Sequence, residues 1–187
     1  MKKIDNYDSI EEASEGYGTP EAGGYVCMIL GVEDVPFDEK TGKGNYLKVM
    51  FDFAEGEFAG HFSDKFSRFG NWPSAGYMYK SYNDKSAGFF KAFISSVEKS
   101  NPNYKWAWDE KTLKDKWVGV IMREEEYFGS DGSIKTRLKA DKTTTVDAIR
   151  SGDFKVPPKK YVNGSQSMSD TLSGFTSAPA SSDNPFA

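Results

Sequence analysis

Residues 65–83 read KFSRFGNWPSAGYMYKSYN. They gather six aromatic side chains (Phe66, Phe69, Trp72, Tyr77, Tyr79 and Tyr82) and three bases, Lys65, Arg68 and Lys80, with no acid before Asp84. Rings offer flat faces on which nucleobases stack, and Lys and Arg offer charge to the phosphates between them. That pairing of residue types is the chemistry of single-stranded nucleic-acid binding, in which stacking contributes roughly 1–3 kcal/mol per base. The same rings could build a core, since tyrosines on strands often only pack. Lys135, Arg137 and Lys139 place bases at every second residue, Tyr46 and Lys48 set a ring and a base together, and Arg123 adds a further cation.

Catalytic chemistry finds less to work with. A single histidine, His61, and a single cysteine, Cys27, cannot assemble a Cys/His zinc cluster. Cys27 lies in an apolar run, where a buried inert thiol is expected, and His61 beside Phe62 reads as an ordinary strand residue. The TGKG at 41–44 has too few glycines, at the wrong spacing, for a phosphate loop. Glu124, Glu125 and Glu126 form an acidic run; alternation sends Glu125 to one face and its neighbours to the other, which reads as a solvated strand end. A metal-dependent nuclease using Asp109, Glu110 and Glu124–Glu126 is an alternative whose spacing suits no two-metal site. The expectation is a non-enzymatic protein with no catalytic residue, no metal and no cofactor.

Period-2 alternation must position these side chains. It predicts strands over 24–33, 46–54, 58–69 (irregular), 117–127 and 134–139. On the second strand Leu47, Val49, Phe51 and Phe53 share one face and Tyr46, Lys48, Met50 and Asp52 the other. Helical spacing of Phe89, Phe90, Phe93, Ile94 and Val97 predicts a helix over 87–99, ending before Asn101-Pro102, and a short helix follows at 146–150. The order strand, strand, strand, helix, strand, strand is that of an OB-fold. The fold class expected is therefore mainly β: a five-stranded OB-fold-like barrel with a helix between strands 3 and 4, plus disordered termini. The long glycine-bearing connection 34–45 and the hairpin at 129–133 would flank its binding face.

Composition draws the boundaries. In 187 residues the net charge is −4, yet the acids concentrate at the ends. Residues 1–23 are expected to be a flexible acidic segment, 24–162 the nucleic-acid-binding domain, and 163–187 a disordered serine-rich tail that cannot offset its own ordering entropy. The domain itself is nearly neutral, with 22 Lys and Arg against 20 Asp and Glu, so phosphate binding is allowed without a strongly basic footprint. One cysteine, no apolar run in MKKIDNYDSIEEASEG and no segment of membrane-spanning length together predict a soluble protein of the reducing cytoplasm, without membrane association.

The chain's last residues, SSDNPFA, resemble the acidic tip of bacterial single-stranded DNA-binding proteins, where acids, a proline and a phenylalanine close a disordered tail that recruits replication and repair proteins. Asp183, Pro185 and Phe186 carry the likeness; one acid rather than several, and Ala187 after the phenylalanine, depart from it. The body, through GGYVCMILGVEDVP, NYLKVMFDFAEGEFAGHF, SAGFFKAFISSVEKSNPNYKW and DKWVGVIMREEEYFGSDGSIKTRLK, resembles a family of small proteins from phages and prophages of low-GC Gram-positive bacteria. The resemblance covers roughly residues 20–160. It implies an OB-type single-stranded DNA binder of a replication or recombination module, active in the host cytoplasm. It assigns no binding residues, so those rest on the physical argument: Tyr46, Lys48, Lys65, Arg68, Trp72, Tyr77, Tyr79, Lys80, Arg123, Lys135, Arg137 and Lys139. Single-stranded DNA and tail-recruited replication or recombination proteins are the expected partners, and self-association is open. The alternative of another class is a phage β-barrel module that binds a host or replisome protein.

Overall fold

A computed structural model describes residues 18–42 and 44–162. The expectations for the two termini, including the tail residues Asp183, Pro185 and Phe186, lie outside the described residues. The elements run β1 (Gly23–Val35), β2 (Tyr46–Phe53), α1 (His61–Phe69), β3 (Tyr77–Ser81), α2 (Ala87–Ser100), β4 (Trp117–Phe128), β5 (Ile134–Thr144) and α3 (Val146–Ser151). All five strands join one antiparallel sheet in the order β3-β2-β1-β4-β5, giving a mainly β, OB-like fold with α2 between β3 and β4. Among the described residues the sheet is not closed: β3 and β5 are its edges and make no strand pairing with each other.

Alternation decides what faces in. Leu47, Val49, Phe51 and Phe53 are buried on β2, as their spacing predicts, and they meet Cys27, Ile29, Met78, Val118, Val120 and Met122 from neighbouring strands. Phe90, Phe93, Ile94 and Val97 of α2 close this core from one side. Asn101 fastens the end of α2 to the start of β4: its amide donates to the carbonyls of Val97 and Trp117 and accepts from the Trp117 N–H. Cys27 is fully buried, which pushes its thiol well above the ordinary range and makes it inert. On the opposite face of β1 and β4, Val26 and Ile121 are covered by the chain around α3. The missing side chains of Gly24 and Gly119 let α3 and the chain after it approach the sheet there; a Cβ at Gly24 would collide with Phe154 and Ile149, and one at Gly119 with Ile149 and the Thr145 carbonyl.

The third strand lies later than alternation placed it. Residues 61–69 form α1, and the strand is Tyr77–Ser81. Phe62, Phe66 and Phe69 recur at helical spacing, and Gly60 and Gly70 bracket the segment with positive φ of 77° and 73°. The deciding group comes from elsewhere in the chain. Asp52, buried on β2, accepts hydrogen bonds from the N–H groups of Phe62 and Ser63 and from the Ser63 hydroxyl, at 2.9, 2.8 and 2.5 Å. Gly60 offers no side-chain cap, so a strand carboxylate does the capping, aided by the attraction of a helix N-terminus for negative charge. His61 begins this helix, half-buried against Phe53 and Phe58, and burial followed by Lys65 lowers its pKa.

Asp52→Ala should therefore cost about 2–3 kcal/mol in urea unfolding, because it strands buried amides and removes a charged acceptor. A loss below about 0.5 kcal/mol would show that α1 holds itself.

Candidate nucleic-acid interface

Directly opposed residues in a ladder share a face, so register assigns the rings and bases. Tyr46, Lys48 and Met50 on β2 oppose Ser81, Tyr79 and Tyr77 on β3, and all point away from the core. Tyr46 meets Tyr79 edge to face at 5.6 Å, and Lys48 Nζ lies 4.8 Å from the Tyr77 ring centre while pairing with Glu33 at 3.5 Å. Tyr79 is 58% exposed, so its ring is open to a ligand. On β5 the outward row is Lys135, Arg137 and Lys139, opposite Tyr127, Glu125 and Arg123 of β4.

The unpaired seam brings these two sets together. A groove of about 350 Å³ runs between β3 and β5, lined by Tyr77, Met78 and Tyr79 on one side and Arg137, Leu138, Lys139 and Ala140 on the other. Rings and cations far apart in sequence thus share one concavity.

Glu125 organises the cations. It is buried, and Arg137, Lys139 and Lys160 approach its carboxylate at 3.1, 3.1 and 3.2 Å. Burial alone would raise its pKa, but hydrogen bonds from Lys139, Arg137 and Lys160 override that and hold it at about 2. This overturns the reading of a solvated strand end for Glu125 and Glu126, since Glu126 pairs with Lys159 at 3.1 Å as well. Three cations around one carboxylate leave the cluster positive, and their side chains stay 40%, 42% and 57% exposed, free to meet a second anion. Lys160 arrives through a backbone bridge of its segment to Glu125. It was missed in the sequence because nothing local in VPPKKY signals a long-range pairing.

The remaining bases and rings are less available. Arg123 pairs with Asp141 at 3.0 Å and Lys135 with Asp131 at 3.1 Å; both share the outer face without lining the groove. Lys65 and Arg68 lie on α1, also away from the groove's lining, beside the exposed Phe66 and Phe69. Trp72 is a packing residue: it is half-buried against Phe62 and Phe66, and its indole N–H donates to the Gly76 carbonyl at 3.1 Å. Lys80 opposes Leu47 and so faces inward, its Nζ 5.3 Å from the centre of the Phe93 ring. Burial lowers its pKa to about 8, with Asp141 opposing that shift. Among the described residues no group of three His, Cys, Asp or Glu could hold a metal, and no helix is long and apolar enough to cross a membrane. Asp109 caps the 3-10 turn at Glu110–Leu113, separately from Glu125 and Glu126, which are ion-paired on β4.

Two pH signatures follow from the buried charges. Glu125 has its folded pKa depressed, so it stabilises the fold fully above about 4.5, and that contribution disappears as pH falls towards about 2. Glu125→Gln should remove a contribution on the order of 1–3 kcal/mol and flatten stability across that window in acid titration followed by circular dichroism. Lys80 behaves oppositely: charged in both states below about 8, it should let stability rise between about 8 and 10.5 as the folded protein releases its proton first. Lys80→Met should abolish that rise and add about 1 kcal/mol at neutral pH; an unchanged pH profile in the variant would place the ammonium in water.

A comparison with protein-family models finds no match to this chain, and a comparison with curated protein sequences finds none either.

Proposed function

We propose that the chain is a non-enzymatic single-stranded DNA-binding protein, gripping the strand along the β3–β5 seam. The observation that carries this reading is the groove itself, where Tyr77 and Tyr79 face Arg137 and Lys139 across a gap that strand pairing leaves open. Bases would stack on Tyr79 and on the adjoining Tyr46, while phosphates meet Arg137, Lys139 and Lys160 around Glu125. A stacking surface favours unpaired bases over duplex, whose bases are already stacked on each other. The resemblance of the body to phage proteins supports a place in phage DNA replication or recombination, and the tail likeness supports partner recruitment through Asp183, Pro185 and Phe186.

Fluorescence anisotropy with a labelled oligo-dT tests the reading, and absence of binding at low salt, or equal affinity for duplex, would falsify it. Tyr79→Ala should weaken binding by about 1–3 kcal/mol with unfolding unchanged. Arg137→Ala or Lys139→Ala should each lower the slope of log K against log salt by about 0.7. Trp72→Ala should lower stability instead. Removing residues 163–187 should leave oligo-dT affinity intact, which assigns the DNA contacts to the body.

A further inference from the structure

A second concavity, of about 230 Å³, opens where the end of β1, the exit of β3 and the first turn of α2 meet the segment between α2 and β4. Four rings line it, Tyr82, Phe90, Trp106 and Trp108, together with two carboxylates, Asp34 and Glu110. Phe90 is the hub: Tyr82, Trp106 and Trp108 have their ring centres 6.0, 6.2 and 6.3 Å from its own, with Trp108 nearly parallel to it at 20°. Trp108 is 79% exposed and is held at φ 61°, a left-handed conformation that a bulky residue adopts only against a steric cost. Strain held in place to display a large ring to solvent is the kind of outlier that points to use.

The charge of this pocket is opposite to that of the groove. Among the described residues no Lys or Arg lines it, and neither Asp34 nor Glu110 has an ion-pair partner. Asp34 keeps one oriented contact, accepting from the Tyr82 hydroxyl at 2.8 Å. Ring faces attract cations, and the two carboxylates add to that attraction while repelling phosphate. The volume lies below the roughly 300–1,000 Å³ of ordinary small-molecule sites and suits a single long side chain. Among cationic side chains, the planar guanidinium both stacks on indole and forks to carboxylates, which a compact ammonium does not. We propose that this pocket receives an arginine side chain of a partner protein, at a site separate from the one that holds DNA.

The test uses the full chain, ¹⁵N-labelled, titrated with the blocked tripeptide acetyl-Gly-Arg-Gly-amide and with its citrulline counterpart, which keeps the shape and removes the charge. The arginine peptide should shift the Trp108 indole signal saturably, and the citrulline peptide should bind about ten-fold or more weakly. Trp108→Ala and Glu110→Gln, both with wild-type melting temperature, should each weaken the arginine peptide while leaving oligo-dT affinity unchanged. The second variant keeps every ring, so it isolates the charge. Equal response to the two peptides, or no response of Trp108 to either, overturns the proposal. Displacement of the peptide by oligo-dT, with Trp108 shifting on DNA alone, overturns it in favour of a nucleobase.

Discussion

Coiling five strands around a core brings the outermost pair toward each other, and here that pair, β3 and β5, stops short of pairing. Strand edges normally invite another strand. In this fold the gap is bordered by side chains of two kinds, tyrosines from one edge and cations from the other, so the opening becomes a groove instead of a ladder. The core dictates how the edges meet. α2 fills the interior with Phe90, Phe93, Ile94 and Val97, and Met78 of β3 joins the same cluster.

The charge arrangement depends on one buried carboxylate. Arg137, Lys139 and Lys160 would repel one another if gathered without Glu125 between them, and Glu125 would be costly to bury without them. Their mutual need places three partly exposed cations beside the seam in fixed positions. At the other concavity the logic reverses, because Asp34 and Glu110 stand among rings without a basic neighbour in the lining among the described residues. A nearly neutral domain thus separates its charges by place, which its net charge conceals.

Much of this architecture was legible in residue order, because the period of apolar residues reports burial directly. β1, β2, β4, α2 and α3 fall within a residue or two of their expected limits. β5 also starts where alternation put it, but runs on to Thr144 past a shift in register opposite Ile121 and Met122. Alternation likewise separated Tyr46 and Lys48 from the core side of β2 and set Arg137 and Lys139 on one face of β5. Those assignments needed only the two-residue repeat of a strand.

What tertiary structure alone decided concerns groups whose partners are distant in the chain. The helix at 61–69 carries a local signal in the spacing of its phenylalanines, but its cap comes from Asp52, ten residues before Phe62 on a strand; no local window contains that bond. That shift moved the strand to Tyr77–Ser81, put Tyr77 and Tyr79 on the outer face, and turned Lys80 inward over Phe93. Trp72 looked like a stacking ring by type, but its indole is engaged by Gly76 and packed on Phe62. Glu125 looked like part of a solvated run until Lys160, thirty-five residues on, returned to pair with it. Sequence spacing determined which side of its own strand a residue occupies, since the backbone repeat sets that locally. Which strands would meet across the seam, and which charges would neutralise each other, depended on long-range packing.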